Sequence, residues 1–108
     1  MKKGEIWLVN LPSANGREQS GLRPALLLSE VETNIIMIVP FTSNIQALRF
    51  PSTIEVKPSK ENGLNSISTA LIFQLRAIDK NRLNKKIGHL EKDTLKEVDL
   101  MVKKLLKL

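Results

Sequence analysis

Apolar positions in this chain come first in short runs and only at the end at helical spacing. The runs are "EIWLVNL" (5–11), "PALLLS" (24–29), "IIMIVPF" (35–41), "TIEV" (53–56) and "SISTALIF" (66–73). They are rich in branched and aromatic residues, which favour a pleated, half-buried surface. Turn-forming clusters separate them: "PSANG", "SEVETN", "FPS" and "KPSKENG". "KKIGHL" (85–90) reads as a sixth strand. No helical segment lies between the strands, so parallel crossovers are excluded and a small barrel or half-barrel is expected.

The last segment, "EKDTLKEVDLMVKKLLKL" (91–108), changes period. Leu95, Val98, Met101, Val102, Leu105, Leu106 and Leu108 fall in one arc of a helical wheel, wide enough to pack on a sheet. Glu91 and Asp93 stand at its start and Lys103, Lys104 and Lys107 near its end, the order that the helix dipole favours. Asp99 and Lys103 are spaced for an i, i+4 ion pair, and Leu100 falls among lysines on the outer face. The expected fold is mainly β with a C-terminal helix, in one domain spanning residues 1–108.

Charge is distributed unevenly. The net charge is +6; residues 1–75 carry seven basic and six acidic groups, residues 76–108 ten basic and five acidic. A basic half suits a polyanionic partner, or simply a solvated lysine-rich face. The chain has no cysteine, which excludes disulfides and thiolate metal sites and fits a reducing, cytoplasmic setting. Its one histidine, His89, cannot form a two-histidine acid–base pair within the chain, and it sits in the apolar "IGHL" as a packed or half-exposed side chain. No apolar stretch approaches the length of a membrane span. No phosphate-binding glycine loop, nucleophile elbow or zinc-protease motif occurs. Any chemistry here falls to arginine, hydroxyls and carboxylates, with no metal or cofactor.

Three places carry candidate chemistry. Arg23 lies between a glycine-containing loop (13–21) and the apolar strand that follows Pro24. The residue before a proline is pushed into extended geometry, and a proline belongs at a strand's first position or on an edge. Arg23 is thus held at a strand mouth, either as a phosphate-binding guanidinium or as an ion-pair partner of Glu18. The second place is "VPFTSN", where Thr42, Ser43 and Asn44 follow a strand directly, as turn formers or as donors. In the third, "FQLRAIDKNRL", extended geometry would put Gln74 and Arg76 on one face and Leu75 and Ala77 on the other. Asp79 is placed to cap a local turn holding Arg82.

Taken together, these places resemble the MazF/PemK family of toxin endoribonucleases. The matching pieces are "KKGEIWLVNL", "GREQSGLRPALLLS", "VPFTSNIQALRFPSTIEV", "QLRAIDKNRL" and "KIGHL", in the family's order over nearly the whole chain. The resemblance implies an SH3-like β-barrel with a C-terminal helix, usually a homodimer. It also implies sequence-specific, metal-independent cleavage of single-stranded RNA such as mRNA at a short sequence, and neutralisation by a cognate antitoxin. By motif match the family's catalytic arginine falls on Arg23 and its catalytic threonine on Thr42. Glu18 and Gln19 match the loop beside the site, and Gln74 a polar position on the facing strand. Arg17 stands where the family commonly has serine, and Phe73 where it usually has an acidic residue. The RNA-contacting set so implied is Arg17, Gln19, Ser43, Asn44, Phe73, Gln74 and Arg76.

Within that resemblance, Arg23 would stabilise the phosphorane formed by attack of the RNA 2′-hydroxyl, with Thr42 donating to the same phosphate and Glu18 as base. A protein of the same fold that inhibits a protein target such as gyrase, and a plain nucleic-acid-binding barrel, are the alternatives.

Overall fold

The computed structural model describes residues 2–12 and 20–108. Strands β1 (Glu5–Leu11), β2 (Gly21–Glu32), β3 (Ile35–Thr42), β4 (Thr53–Val56), β5 (Ser68–Leu71), β6 (Arg76–Asp79) and β7 (Leu83–His89) precede one helix, α1 (Lys92–Leu105). Every pairing is antiparallel, in the order β4-β5-β3-β2-β1-β7, with β6 also on β3. This is the mainly β architecture with a C-terminal helix that the short apolar runs and the final helical period predict. The sheet curls without closing into a barrel through a β4–β7 ladder.

Three boundaries differ from expectation. β2 runs on to Glu32, through residues read as a turn, because β3 supplies ladder partners up to Glu32↔Ile35 while Ser29 and Glu30 stay exposed. β5 stops at Leu71, where a 3₁₀ turn (Ile72–Gln74) redirects the chain. Arg76–Asp79 then forms a separate strand, pairing Ile78 with Ile36. Gln74 and Arg76 therefore do not share a strand face.

The two prolines expected at strand ends lie inside strands, and they mark a fork. β2 and β3 are paired from Glu32↔Ile35 down to Ala25↔Pro40. Beyond that rung β3 turns to β5 (Phe41↔Ala70, Thr42↔Thr69), while β2 stays with β1 (Pro24↔Leu8, Arg23↔Val9). Pro24 and Pro40 have no N–H to contribute to a ladder, so they suit the place where two strands part. Arg23 and Thr42 each stand two residues past the last shared rung, on opposite lips of the gap.

One core lies between sheet and helix. Val98 is fully buried against Ile6, Leu26, Val39 and Phe41, with Leu95, Met101, Val102 and Leu105 packed around it. A second cluster (Val9, Leu27, Ile36, Ile38 and Ile78 among others) fills another sheet face. The apolar arc is shorter than its periodicity suggests: Leu106 and Leu108 are exposed, because the helix ends in a reversal. Lys107 adopts φ +59°, its N–H donates to the Lys104 carbonyl, and the Leu108 N–H reaches back to Lys103. That is a Schellman ending. Asp99 pairs with Lys3 at 2.9 Å instead of with Lys103, tying the helix to the N-terminal segment.

The segment after β4 bridges the open side of the sheet. Its hub is Asn62, fully buried: Oδ1 accepts from the Ser59 and Leu64 amides (3.0 Å each), and Nδ2 donates to the Lys57 carbonyl at 2.9 Å and to Glu91 at 3.3 Å. Gly63 (φ +69°) lies so close to β7 that a Cβ would stand 2.0 Å from the Ile87 carbonyl oxygen. Gly88, facing it, would meet the Glu61 carbonyl at 2.4 Å. Both glycines permit backbone contact that a side chain forbids.

Candidate functional site

The fork between β2 and β3 opens into a cleft of about 580 Å³. Arg23 and Pro24 form one lip, Phe41, Thr42 and Ser43 another, and Lys85 of β7 contributes a further cation. The bridging segment adds Asn65 and Ser66. A cleft with several cations and hydroxyls, and no carboxylate among its described lining residues, suits an anion.

Local structure positions each group. Gly21 takes φ +83°, which lets the chain enter β2 sharply. Arg23 is exposed, and its Nε donates to the Ser20 carbonyl at 3.2 Å. That bond fixes the guanidinium plane through one nitrogen. Among the described residues Arg23 makes no ion pair, so Nη1 and Nη2 have no recorded carboxylate there. Thr42 is only 8% exposed, and its Oγ1 accepts from the Asn44 amide at 3.2 Å. With the oxygen so engaged, the hydroxyl proton remains the group that Thr42 can offer a ligand.

Ser43 and Asn44 continue the turn. Asn44 Oδ1 accepts from the Gln46 amide at 3.0 Å and caps a 3₁₀ turn (Ile45–Arg49). Turn chemistry and cleft lining thus coexist in "TSN". Asp79 caps the next 3₁₀ turn as expected, accepting from the Asn81 amide at 2.8 Å and leading to Arg82.

A second depression of about 270 Å³ adjoins the first, and Thr42 lines both. Asn44, Phe73 and Gln74 lie here. The structure therefore brings Arg23, Thr42 and Ser43 into one cleft, and Asn44, Phe73 and Gln74 into its neighbour. Arg76, half-buried opposite Ile38, lines neither. Arg17, Glu18 and Gln19 lie outside the described residues. Contributors missed from the sequence include Asn65, Ser66, Lys85 and Lys86 in the first cleft, and Gln46, Arg49 and Phe50 in the second. Lys85 sits in a lysine pair that strand alternation alone does not rank, and "RFPS" reads as turn punctuation.

Two carboxylates next to this framework ionise easily. Burial pushes Glu5 up, but the Trp7 indole N–H at 3.0 Å and Lys86 at 3.1 Å outweigh it and hold the carboxyl below its ordinary 4.5. Glu91 is likewise pushed up by burial and brought below 4.5 by the Ser59 hydroxyl (2.6 Å) and Asn62. Glu5 neutralises Lys86, whereas Lys85 has no ion pair among the described residues. His89 is exposed rather than packed. No group of three or more potential metal ligands occurs among the described residues, and no described helix is long and apolar enough to cross a membrane.

Residues 2–106 match the model of the PemK-like, MazF-like toxin of type II toxin-antitoxin systems. The chain is 31% identical over 103 residues to Endoribonuclease MazF of Staphylococcus saprophyticus, covering 92% of this chain and 85% of that protein. It is 32% identical over 103 residues to Endoribonuclease EndoA of Bacillus subtilis, with coverages of 92% and 88%. The crystal structure of MazF from Deinococcus radiodurans superposes with a TM-score of 0.77 at 27% identity, over 98% of this chain and 94% of that one. The MazE-MazF crystal structure from the same organism gives 0.68 at 28%, over 98% and 94%.

Proposed function

Because the chain belongs to the PemK-like, MazF-like toxin family of type II toxin-antitoxin systems, we propose that it is an endoribonuclease cutting single-stranded RNA at the β2–β3 fork. The observation that carries this reading is the convergence of Arg23 and Thr42, from two strands that separate just before them, on one cation-lined cleft.

The chemistry follows from the groups present. RNA supplies its own nucleophile, the 2′-hydroxyl, so the protein must chiefly hold the phosphate and offset charge as it develops. The Arg23 fork engages two phosphate oxygens at once. Thr42 donates its hydroxyl to the same group, and Lys85 adds a second positive charge at the cleft. Attack forms the O2′–P bond and breaks the P–O5′ bond; the 2′-hydroxyl proton goes to the base and the departing 5′-oxygen takes a proton from Arg23, leaving a 2′,3′-cyclic phosphate and a 5′-hydroxyl. No metal is required. Glu18 is the base assigned to the 2′-hydroxyl, and Arg17 and Gln19 are assigned as RNA contacts. A MazE-type antitoxin is the protein partner, and the working form is a homodimer in the cytoplasm.

Replacing the ribose at one mapped cut position by 2′-deoxyribose tests the reaction. Cleavage at that bond should disappear while neighbouring sites are still cut. Cleavage that persists at the deoxy position rules out the 2′-hydroxyl as nucleophile. A folded protein that leaves every RNA intact removes the nuclease reading altogether.

A further inference from the structure

We infer that the depression beside the cleavage cleft is a base-stacking subsite in which Phe73 receives one nucleobase of the bound RNA and Phe50, capped by Arg49, holds Phe73 at its working angle. The inference rests on the nuclease reading for the identity of its ligand. Phe50 and Phe73 come from segments far apart in sequence, yet their ring centroids lie 5.8 Å apart at an interplanar angle of 51°. Both rings are substantially exposed, Phe50 at 42% and Phe73 at 40%. Rings that served only to fill the core would be buried, as Phe41 is.

The two rings are not equivalent. The Arg49 guanidinium carbon sits 5.2 Å from the Phe50 centroid, so a cation already covers Phe50. Phe73 has no such cover among the described residues. A tilted neighbour fixes an aromatic ring without stacking on it, and every nucleobase has a π-face to offer. Asn44, Gln46 and Gln74 line the same depression and bring amide groups able to pair with base edges. Thr42 lines both depressions, so a strand whose scissile phosphate meets Arg23 and Thr42 passes directly from one to the other. The polar lining, the adjacent cation and this continuity favour a nucleotide over an apolar protein segment.

The test uses uncleavable RNA, so that binding is read apart from catalysis. Mixed-sequence 12-nucleotide single strands with 2′-fluoro substitution are titrated by fluorescence anisotropy into the full chain and into Phe73→Ala, Phe73→Leu, Phe73→Tyr and Phe50→Ala. Sedimentation of each protein is measured in parallel. Phe73→Ala and Phe73→Leu should weaken binding about 5- to 150-fold, the range for loss of one stacked base. Phe73→Tyr should stay close to the parent, and Phe50→Ala should show a smaller loss. The salt dependence of binding should not change in any of them, because no phosphate contact is removed.

Leucine retaining full affinity overturns the stacking role, as does an unchanged Phe73→Ala. Weakening that coincides with a fall from dimer to monomer assigns the aromatic pair to contact between copies of this chain, and absence of binding by the parent chain also removes the inference. Aromatic-dependent binding in a protein that never cuts natural RNA would leave the stacking site standing and remove the nuclease reading; cutting insensitive to residue 73, with unchanged affinity, would do the reverse.

Discussion

At Arg23, backbone and side chain serve different ends. The backbone is a rung of β2 opposite Val9, and the side chain is steadied through Nε on the Ser20 carbonyl. Such preorganisation matters because donors aimed at developing charge act without reorganising during the reaction. Arg23→Ala should therefore reduce RNA cleavage at least ~100-fold, the range for losing one such donor, while thermal unfolding moves little because the residue is exposed. Single-turnover cleavage and a melting curve check both halves. A variant that cuts normally contradicts the assignment. The motif match singles out Arg23 and Thr42 in the sequence, and the fold brings both to one cleft. The sequence does not single out Lys85, Arg49 and Phe50, since their place in the two depressions comes from which segments the fold makes neighbours.

Among the elements, the segment bridging β4 to β7 carries consequences that no periodicity announces. Asn62 satisfies three backbone groups from full burial. Asn62→Ala leaves the amide of the buried Leu64 unpaired, at about 1–3 kcal/mol, and removes the partner of the Ser59 amide and the Lys57 carbonyl, which belong to exposed residues. A melting temperature lowered by roughly 4–8 °C per kcal/mol is expected for a domain of this size; an unchanged melting temperature would show that water replaces the amide fully. Glu91, held below 4.5 when folded, links the same segment to pH. A carboxylate whose folded value is depressed contributes stability that is fully present above the unfolded value, and that is lost as pH falls through the folded one. Denaturant unfolding should thus show stability falling below pH 4.5, and Glu91→Gln should flatten that decline relative to the parent. Equal slopes would assign the acid sensitivity elsewhere. The strands were readable as short runs of branched and apolar residues between turn formers, and the helix from its period. The extra strand β6, the 3₁₀ turns and the Lys107 reversal were not, because hydrogen-bond partners distant in sequence, or local end effects, decide them.

For the molecule as a whole, the positive charge assigned to a polyanionic partner becomes specific at the fork. Lys86 is balanced by Glu5, while Lys85 lines the cleft without an ion pair among the described residues. RNA affinity should fall with rising salt, and Lys85→Ala should reduce the slope of log K against log salt by about 0.7, the value for one phosphate contact on a single strand. A slope unchanged in Lys85→Ala would place that lysine outside the RNA path. The mainly β architecture was readable from the order of strands and helix. The choice between barrel and half-barrel was not, because the open side is bridged by a segment that docks on β7 through Gly63 and Gly88.

Metal-independent cleavage at the fork is tested most directly by incubating the purified chain with mixed-sequence single-stranded RNA in excess EDTA and determining the end groups at every cut. Reproducible cuts bearing 2′,3′-cyclic phosphate and 5′-hydroxyl ends, absent with Arg23→Ala, are expected. Intact RNA, or cuts that require a divalent metal or leave 3′-hydroxyl ends, would contradict this.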